Sequence, residues 1–497
     1  MTLPTIFALL PLAAFAIQDP VATKSGPVSG AASEGVQTYK GIPFAAPPVG
    51  DLRWKAPQPV AAWKQVRQAT AFGAPCVQTP YAAGSLYASA MPPVSEDCLS
   101  LNVWTAAKSP AEKRPVMVWI HGGALTRGWG GTPTYDGGNF AKKGVVLVTV
   151  NYRLGVFGFF AHPELTAESP HRASGNQGLL DQVAALRWVH ENISAFGGDP
   201  GNVTIFGESA GSWSVNYLMA TPLAKGLIHR VIGESGAAFS VMRSLTDGEK
   251  AGEKLGTLKD LRAKSADEIQ KASSAAVTVV DGWMLREPVH AIFAAGKQND
   301  VPLIAGFNAD EATAFLTTLG PAVPAEAFER QIKERFGDSA EAFKKAYPAS
   351  TPQENRQVLL DSWRDQVFGW QMRTWARQQT KTGKSPVYHY FFSRVPPGPS
   401  SARFGAYHAA EIAYVFGNLA ASRPWQNADR TLSEAMQNYW INFAKTGDPN
   451  GKGLAAWPKF ALDAEVSIEF GDAIRTRADV QKSGLDFFET QSRRGAR

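Results

Sequence analysis

The chain has 497 residues, of which 44% are apolar and 11% aromatic, so it can bury a large core and is not intrinsically disordered. Its 46 Gly and 33 Pro residues lie near background frequency, which excludes collagen-like and low-complexity proteins. Lys and Arg (50) exceed Asp and Glu (44) by only six, and no basic stripe interleaved with aromatic residues is present. The charge therefore indicates solubility rather than nucleic-acid binding.

The first sixteen residues are a candidate secretory signal peptide. They contain no charged side chain, carry an apolar run and end in Ala14-Phe15-Ala16, an A-x-A cleavage pattern. We predict a signal peptide over 1–16, cleaved after Ala16, and a secreted or periplasmic mature domain over 17–497. Because no Lys or Arg stands near the start, an N-terminal anchor or a misassigned start is the alternative. The run is too short to span a bilayer, and no stable membrane span is predicted.

The chain contains only two cysteines, Cys76 and Cys98. Two is the smallest number that can form one intramolecular disulfide, and export would take them to an oxidising compartment where such bridges persist. A pair of buried free thiols is the alternative.

Five short apolar runs predict the strands of a central sheet. They are bounded by turn residues, and helix-like stretches separate several of them: Val116–Ile120, Val145–Val150, Val203–Phe206, Val231–Ile232 and Pro302–Phe307. Strands that are apolar throughout are buried on both faces, as in a mainly parallel sheet covered by helices. The predicted fold class is therefore α/β, in one architectural unit. The clearest helix is expected over about Asn176–Ala195, before Gly197-Gly198.

The sequence from about Phe315 to Lys384 is helical and charged in character. Trp363, Phe368, Trp370 and Trp375 recur within it at close intervals. Such an aromatic stripe is typical of a helix core, and the lining of a substrate mouth is the alternative.

A nucleophile-elbow motif follows the strand predicted at Val203–Phe206. The run Gly207-Glu208-Ser209-Ala210-Gly211 has the form G-x-S-x-G and leads into a helix-forming stretch from Ser212 to Ala220. The serine of such a motif occupies a sharp, strained turn, where side chains at the two glycine positions would collide with neighbouring backbone. The strand before and the helix after the motif favour Ser209 as a catalytic nucleophile.

A nucleophilic serine needs an imidazole that takes its proton, and the imidazole needs a carboxylate that holds its tautomer. After an elbow of this kind the acid precedes the histidine in the chain. His389 lies inside a strand-like run, where its ring would be packed, whereas His408 lies in a loop before a helix expected near Ala409. The pattern favours His408 as the base.

The candidate acids are Asp310 and Glu311. Both follow the strand predicted at Pro302–Phe307, at the carboxyl end where catalytic groups of such sheets collect. The pattern alone does not separate them.

A glycine-rich turn, His121-Gly122-Gly123-Ala124, follows the strand predicted at Val116–Ile120. Backbone N–H groups in such a turn stabilise the oxyanion of a tetrahedral intermediate. The N–H of Ala210, the residue after the serine, would complete the oxyanion hole.

These motifs are similar to those of the type B carboxylesterase family, the cholinesterase-like branch of the α/β-hydrolases. The run Phe196–Pro200 followed by Val203–Gly211 resembles the family's serine signature, and Glu96–Trp104 resembles its second signature. The resemblance extends over nearly the whole mature chain. It implies an α/β-hydrolase fold with a mainly parallel central sheet flanked by helices and with helical insertions around the active-site mouth. It also implies a serine esterase that cleaves small-molecule carboxylic esters through an acyl-enzyme, without a cofactor or metal. The sequence does not predict the oligomeric state.

The resemblance also implies a role for individual residues. Ser209 is the implied nucleophile, His408 the general base and acid, and Glu311, rather than Asp310, the orienting acid. The implied oxyanion donors are Gly123, Ala124 and Ala210. The implied disulfide joins Cys76 and Cys98.

Three features depart from the family pattern. The family usually has a third glycine where Ala124 stands, and the 102 positions from Ser209 to Glu311 are few for the family. The loop between the cysteines holds Tyr81 and Tyr87 but no tryptophan, so a platform for a quaternary ammonium is not expected. Choline esters are therefore not the expected substrates.

Other functions remain as alternatives. A zinc protease is excluded, because His190-Glu191 lacks the second histidine of its motif. A non-catalytic adhesion or ligand-binding member of the same fold usually lacks the serine, which is present here as Ser209. A lipase, or a hydrolase of amides or carbamates, would use the same triad.

Overall fold

The structure is a computed structural model that describes residues 17–272 and 277–495, with side chains described up to residue 492. The predicted signal peptide, 1–16, lies outside the described residues. Among the helices in these ranges, none has the length and apolar character needed to cross a membrane.

The strands of the described ranges are short, and most belong to one sheet. In chain order they are β1 (Val21–Ala22), β2 (Pro27–Ser29), β3 (Ala31–Ser33), β4 (Val36–Pro43), β5 (Arg67–Gln68), β6 (Ser100–Thr105), β7 (Arg114–Ile120), β8 (Val146–Val150), β9 (Gly198–Glu208), β10 (Arg230–Glu234), β11 (Arg243–Ser244), β12 (Val279–Val280), β13 (Leu303–Asn308), β14 (Val387–Phe392), β15 (Val466–Phe470) and β16 (Ile474–Ala478).

Helices fill most of the connections between the strands. They are α1 (Gly138–Lys142), α2 (Gly155–Gly158), α3 (Pro163–Glu168), α4 (Gln177–Asn192), α5 (Ala210–Ala220), α6 (Leu245–Glu253), α7 (Leu258–Ala263), α8 (Ala266–Ala272), α9 (Val289–Ala294), α10 (Ala325–Phe336), α11 (Ala340–Ala346), α12 (Pro352–Arg364), α13 (Trp370–Thr382), α14 (Ser401–Phe404), α15 (Ile412–Phe416), α16 (Asn427–Thr446) and α17 (Lys482–Gly495). Short 3₁₀ turns punctuate the chain, and a π-helical turn, Asp365–Gly369, joins α12 to α13.

The central sheet has eleven strands within the described residues, in the order β16-β15-β14-β13-β10-β9-β7-β8-β6-β4-β3. Neighbouring strands from β15 to β8 run parallel, and the strands at both edges are antiparallel. The carboxyl ends of β7, β9 and β13 therefore meet at one edge of the sheet, where ligands of such folds bind.

Both faces of the sheet are buried. Along β7, Val116, Val118 and Ile120 join one hydrophobic cluster, whereas Met117 and Trp119 join another. Helices α4, α5 and α13 contribute to the first cluster and α1, α15 and α16 to the second. The α/β fold with helices on both sides of a mainly parallel sheet is thus confirmed.

The predicted elements are present, with shifted ends. The strand predicted at Val203–Phe206 extends over Gly198–Glu208. Its first residues are of types that usually form turns, but Gly198 pairs with Arg114 of β7, with a shift of register before Val203. The helix predicted over Asn176–Ala195 ends at Asn192 and continues as a 3₁₀ turn, which Gly197 closes at a φ of +79°.

Cys76 and Cys98 form a disulfide, so the predicted pairing is confirmed and the free-thiol alternative is wrong. The bridge closes a loop over a sequence separation of 22 residues. In the chain-entropy account, such a loop stabilises the folded state by about 3 kcal/mol. We expect the double variant Cys76→Ser/Cys98→Ser to lose about that much free energy of unfolding in urea titrations. Two alkylatable thiols in the untreated wild-type protein would contradict this account.

Candidate active site

Ser209 stands on a strained turn between β9 and α5. Its φ of +57° and ψ of −121° are sparsely populated for a residue with a side chain. Its N–H donates to the carbonyl oxygen of Glu234 at 2.8 Å, which holds the turn against β10. The helix begins at Ala210, two residues before the predicted start, because the sharp turn leads directly into helical backbone.

The two glycines of the elbow are required by close backbone contacts. A Cβ on Gly207 would lie 2.6 Å from the carbonyl oxygen of Ile120, and one on Gly211 would lie 2.0 Å from the same atom. The collision expected from the motif is therefore present, and it involves the end of β7 as well as the elbow itself. This contact brings the turn after β7 beside Ser209.

His408 and Glu311 are joined by a short hydrogen bond in the buried end of the site. The Nδ1 of His408 lies 2.6 Å from Oε2 of Glu311, and both side chains are almost inaccessible to solvent. A proton on Nδ1 leaves Nε2 as an acceptor. Within the described residues Nε2 has no hydrogen-bond partner. The imidazole is thus oriented by a carboxylate and has one nitrogen available for a proton.

The Nε2 of His408 lies next to the elbow that carries Ser209. Oε1 of Glu208, the residue before the serine, lies 3.0 Å from Nε2 of His408, outside hydrogen-bond alignment. In the part of the chain that the structure describes, no hydrogen bond joins Ser209 to His408. Such bonds are often long in unliganded enzymes and tighten when substrate binds.

A second layer of hydrogen bonds fixes Glu311. Its Oε1 accepts from the N–H of Asn308 at 2.7 Å, and the side-chain amide of Asn308 donates to Glu411 and to the carbonyl oxygen of Tyr407. Asn308 ends β13, so the strand itself positions the acid. Glu411 lies three residues after His408, so the same amide links the acid to the histidine loop.

The other candidate acid, Asp310, and the other candidate base, His389, have hydrogen-bond partners outside the Glu311–His408 pair. Oδ2 of Asp310 accepts from the N–H of Ala406 at 2.7 Å and holds the loop that carries His408. His389 lies on β14 with its Nδ1 2.7 Å from Oγ of Ser467, and burial lowers its pKa to about 3.

The helix after His408 begins at Ile412 and not near Ala409 as predicted. Ala409 has a φ of +71°, which is incompatible with helical backbone.

The turn that carries the predicted oxyanion donors lies beside Ser209 and is partly exposed to solvent. Gly123 has a φ of +107° and Ala124 a φ of +55°, and Ala124 is exposed. Ala210 is the first residue of α5, so its N–H has no acceptor within the helix. A Cβ on Gly122 would lie 3.1 Å from Cβ of Ser209, which shows how closely the turn approaches the serine.

Aromatic side chains enclose His408. Phe368 stacks on its ring at a centroid distance of 4.6 Å, and Phe315, which is 45% exposed, lies 5.1 Å away. Trp363 packs on both phenylalanines, whereas Trp375 is fully buried in the core. The aromatic stripe therefore divides into a part that borders the site and a part that forms helix core.

Three buried carboxyl groups lie around Ser209, Glu311 and His408, and burial raises the pKa of each. The pKa of Glu208 and that of Glu411 lie well above the usual range, since neighbouring carboxylates add to the effect of burial. Burial raises the pKa of Glu234 to about 8, opposed by its hydrogen bond from Nε1 of Trp440 at 2.8 Å. The neutral form of these groups is therefore favoured at neutral pH.

The raised pKa of Glu234 makes stability depend on pH. Between about pH 4.5 and 8 the folded state binds more protons at this group than the unfolded state, so stability falls as pH rises. Replacing Glu234 by glutamine removes this dependence while keeping an oxygen that accepts from Trp440. We expect the difference in urea midpoint, variant minus wild type, to increase steadily from pH 5 to pH 8. A constant difference would show that Glu234 does not change its protonation on unfolding.

Several groups around the site were not singled out from the sequence. Glu208 stands inside the G-x-S-x-G motif, one residue before Ser209, so its position is a usable signal. Glu411 lies three residues after His408, outside any motif given above. Phe368 belongs to the aromatic stripe named from the sequence, but its contact with His408, like that of Phe315, depends on the tertiary fold. In the ranges that the structure covers, no group of three His, Cys, Asp or Glu side chains could hold a metal ion.

A scan against family models matches the carboxylesterase family over residues 18–488. The chain belongs to the carboxylesterase family. It is 38% identical to a para-nitrobenzyl esterase of Bacillus subtilis, over 90% of this chain and 96% of that protein. It is 36% identical to a fumonisin B1 esterase of Sphingopyxis macrogoltabida, over 91% and 86%, and 37% identical to a liver carboxylesterase of Sus scrofa, over 86% and 83%.

Solved structures give the same result for the fold. A PNB esterase superimposes with a TM-score of 0.81 at 35% identity, covering 94% of this chain and 99% of that one. A thermophilic PNB esterase gives a TM-score of 0.81 at 34% identity with the same coverage. This carboxylesterase therefore has the α/β-hydrolase fold and is a carboxylic ester hydrolase.

Proposed function

We propose that this carboxylesterase cleaves esters through an acyl-enzyme formed on Ser209, with His408 as general base and acid and Glu311 as the orienting acid. One observation carries the proposal. The imidazole of His408 is held by Glu311 through Nδ1, and its unpartnered Nε2 stands beside the strained turn of Ser209. This arrangement matches the roles that ester hydrolysis by a serine requires.

In the proposed reaction, Nε2 of His408 takes the proton of Ser209 as Oγ attacks the ester carbonyl carbon. Glu311 stabilises the imidazolium that forms. The oxyanion is bound by N–H groups of Gly123, Ala124 and Ala210 until the carbon–oxygen bond of the alcohol breaks. His408 then gives its proton to the leaving alcohol. Water, activated by the same imidazole, releases the acid and restores Ser209.

A panel of p-nitrophenyl esters from acetate to decanoate, together with the matching p-nitroanilides, tests this proposal. We expect turnover of the short esters by the wild-type protein and background rates for the anilides. The Ser209→Ala variant, with an unchanged melting temperature, should be inactive on every substrate. Anilide turnover as fast as ester turnover would instead indicate an amidase.

The structure gives a specific expectation for Ala124. Its methyl group stands at the opening of the site on backbone of positive φ, where glycine is unstrained. We expect Ala124→Gly to keep p-nitrophenyl acetate turnover within about tenfold, because the N–H donor is retained, and to raise the relative rate on tert-butyl acetate. Rates are measured by p-nitrophenol release and by pH-stat titration. A missing oxyanion donor lowers kcat by about 10²- to 10³-fold. A loss of that size on both esters would show that Ala124 sets the geometry of the oxyanion donors and not the space for the alcohol.

We also propose that the mature domain, 17–497, is exported. The A-x-A pattern at residues 14–16 and the Cys76–Cys98 disulfide support export, since structural disulfides persist in oxidising compartments. Expression in a bacterial host tests this proposal. Mass spectrometry of the periplasmic or secreted fraction should find a mature N-terminus at Ile17, and retention of the uncleaved chain in the cytoplasm would contradict it.

A further inference from the structure

Arg127 lies on the same turn as the proposed oxyanion donors. Its backbone N–H donates to the carbonyl oxygen of Gly123 at 3.0 Å. A Cβ built on Gly123 would lie 3.0 Å from Cγ of Arg127, so the stem of the arginine passes directly over that residue. The side chain is only partly buried, so it remains accessible to solvent beside this turn.

Two tyrosines of the disulfide-closed loop connect Arg127 with His408. The guanidinium of Arg127 lies 4.9 Å from the ring centroid of Tyr81, and the rings of Tyr81 and Tyr87 are 5.5 Å apart. The hydroxyl of Tyr87 donates to the carbonyl oxygen of His408 at 2.9 Å. A chain of direct contacts through this aromatic pair therefore links Arg127 to the backbone of His408.

The turn that carries Arg127 is fastened to the same loop. The side-chain oxygen of Gln78 accepts from the N–H of Gly128 at 2.7 Å, and its amide donates to the carbonyl oxygen of Gly128 at 2.8 Å. Gln78 lies two residues after Cys76. The position of Arg127 relative to the site is thus fixed on both sides, by the turn and by the loop.

The charge of Arg127 is not neutralised by the protein. Among the described residues Arg127 forms no ion pair, and its guanidinium contacts the face of Tyr81 instead. The buried carboxyl groups Glu208, Glu234 and Glu411 lie around Ser209 and His408, and burial favours their neutral form. The fourth, Glu311, is hydrogen-bonded to Nδ1 of His408. A guanidinium in this position binds a carboxylate with two parallel hydrogen bonds and little rearrangement.

The same contact disfavours cationic substrates. The face of Tyr81, on which a substrate ammonium group would bind, is occupied by the guanidinium of Arg127. A cation that entered would meet a like charge there. An anion would meet an unpaired cation.

We propose that Arg127 is a specificity-determining residue that binds a carboxylate carried by the substrate, so that the preferred substrates are esters with a free carboxylate group. This inference rests on the proposed ester hydrolysis at Ser209. The carboxylate belongs either to the acyl part or to the alcohol part of the ester, and both place an anion within reach of the opening.

Two pairs of substrates of similar size test the proposal and separate the two sources. Mono(p-nitrophenyl) adipate is compared with p-nitrophenyl hexanoate for the acyl part, and 4-acetoxybenzoate with 4-acetoxybenzamide for the alcohol part. Wild type, Arg127→Gln and Arg127→Lys are assayed beside Arg187→Gln, an exposed arginine on the outer side of α4. Melting temperatures confirm that each variant is folded.

We expect Arg127→Gln to lower kcat/KM for the carboxylate ester of one pair by about 10- to 100-fold, the size of one charge-assisted interaction. The neutral partner should change by less than about threefold, Arg127→Lys should retain part of the preference, and Arg187→Gln should behave as wild type. The affected pair identifies the source of the carboxylate. Added salt should reduce the preference of the wild type.

Equal losses on the charged and neutral members of both pairs, or no loss on any, would overturn the role of Arg127. Failure of the proposed function is distinguishable from this result. If the proposed function is wrong, the wild-type protein does not cleave the neutral esters, or the Ser209→Ala variant cleaves them at the wild-type rate.

Discussion

Replacing Ser209 by alanine is expected to lower kcat for p-nitrophenyl butyrate by at least about 10⁴-fold. The remaining groups of the site still bind substrate and oxyanion, but no nucleophile is left to form the acyl-enzyme. The buried neighbours of Ser209 are unaffected by loss of the hydroxyl, so the melting temperature should stay within a few degrees. Steady-state kinetics and thermal unfolding of the two proteins measure both quantities.

His408→Ala is expected to cause a loss of the same size, and the double variant should be no worse than either single variant, because the triad acts as a unit. His389→Gln provides a matched control, since its hydrogen bond to Ser467 lies on β14 and away from the elbow. A folded His408→Ala protein with near-normal activity, beside an inactive His389→Gln protein, would show that the base is assigned to the wrong histidine.

Glu311→Gln is expected to lower kcat by about 10⁴-fold with little change in KM. Glutamine has nearly the same shape but no negative charge, so it does not stabilise a protonated His408. Its NH₂ group can also donate to Nδ1, which favours the tautomer that carries its proton on Nε2. The 2.6 Å bond between Nδ1 and Oε2 makes this effect large. The pH dependence of kcat should also change, because the imidazolium is no longer stabilised by a carboxylate.

Asp310→Asn is the matched control, one residue earlier in the chain. Asp310 accepts from the N–H of Ala406 and, among the residues that the structure describes, forms no hydrogen bond with the imidazole of His408. We therefore expect a loss of less than about tenfold in kcat. The reverse order of effects, with Asp310→Asn inactive and Glu311→Gln active, would show that the acid is Asp310. Thermal unfolding separates a structural effect on the histidine loop from a chemical one.

The fold was predictable because its strands are short, apolar throughout and separated by turn residues. What the sequence did not indicate is where the strands end. β9 begins at Gly198, among residues that usually form turns, because pairing with β7 outweighs their local preference. The antiparallel edge strands, such as β16, are only partly buried, so they lack the continuous apolar pattern that marks the central ones.

The chemistry-bearing residues of the site were predictable in part. Ser209 follows from local motif and element order, and His408 was favoured over His389 by the character of its surroundings. The choice of Glu311 over Asp310 rests on the family resemblance. Adjacent side chains on a short turn point in different directions, and the local sequence pattern does not indicate which of the two points toward the histidine. Their hydrogen bonds, to His408 and to Ala406, depend on a loop almost a hundred residues away.

The surroundings of the site could not be predicted, because they come from distant segments. Arg127 contacts Tyr81 because the loop closed by Cys76 and Cys98 brings that ring under its guanidinium. Phe368 reaches His408 from the π-helical turn between α12 and α13. Such contacts are set by packing and not by spacing along the chain.

Trapping the acyl-enzyme identifies the residue that forms the covalent intermediate. The wild-type protein is mixed with excess p-nitrophenyl butyrate, quenched in acid within milliseconds and analysed by intact and peptide mass spectrometry. We predict one butyryl group per chain, on the peptide that contains Ser209, together with a burst of p-nitrophenol of matching size. Ser209→Ala should show neither. A butyryl group on another residue, or turnover without any covalent adduct when acylation is shown to be fast, would contradict the assignment of Ser209 as the nucleophile.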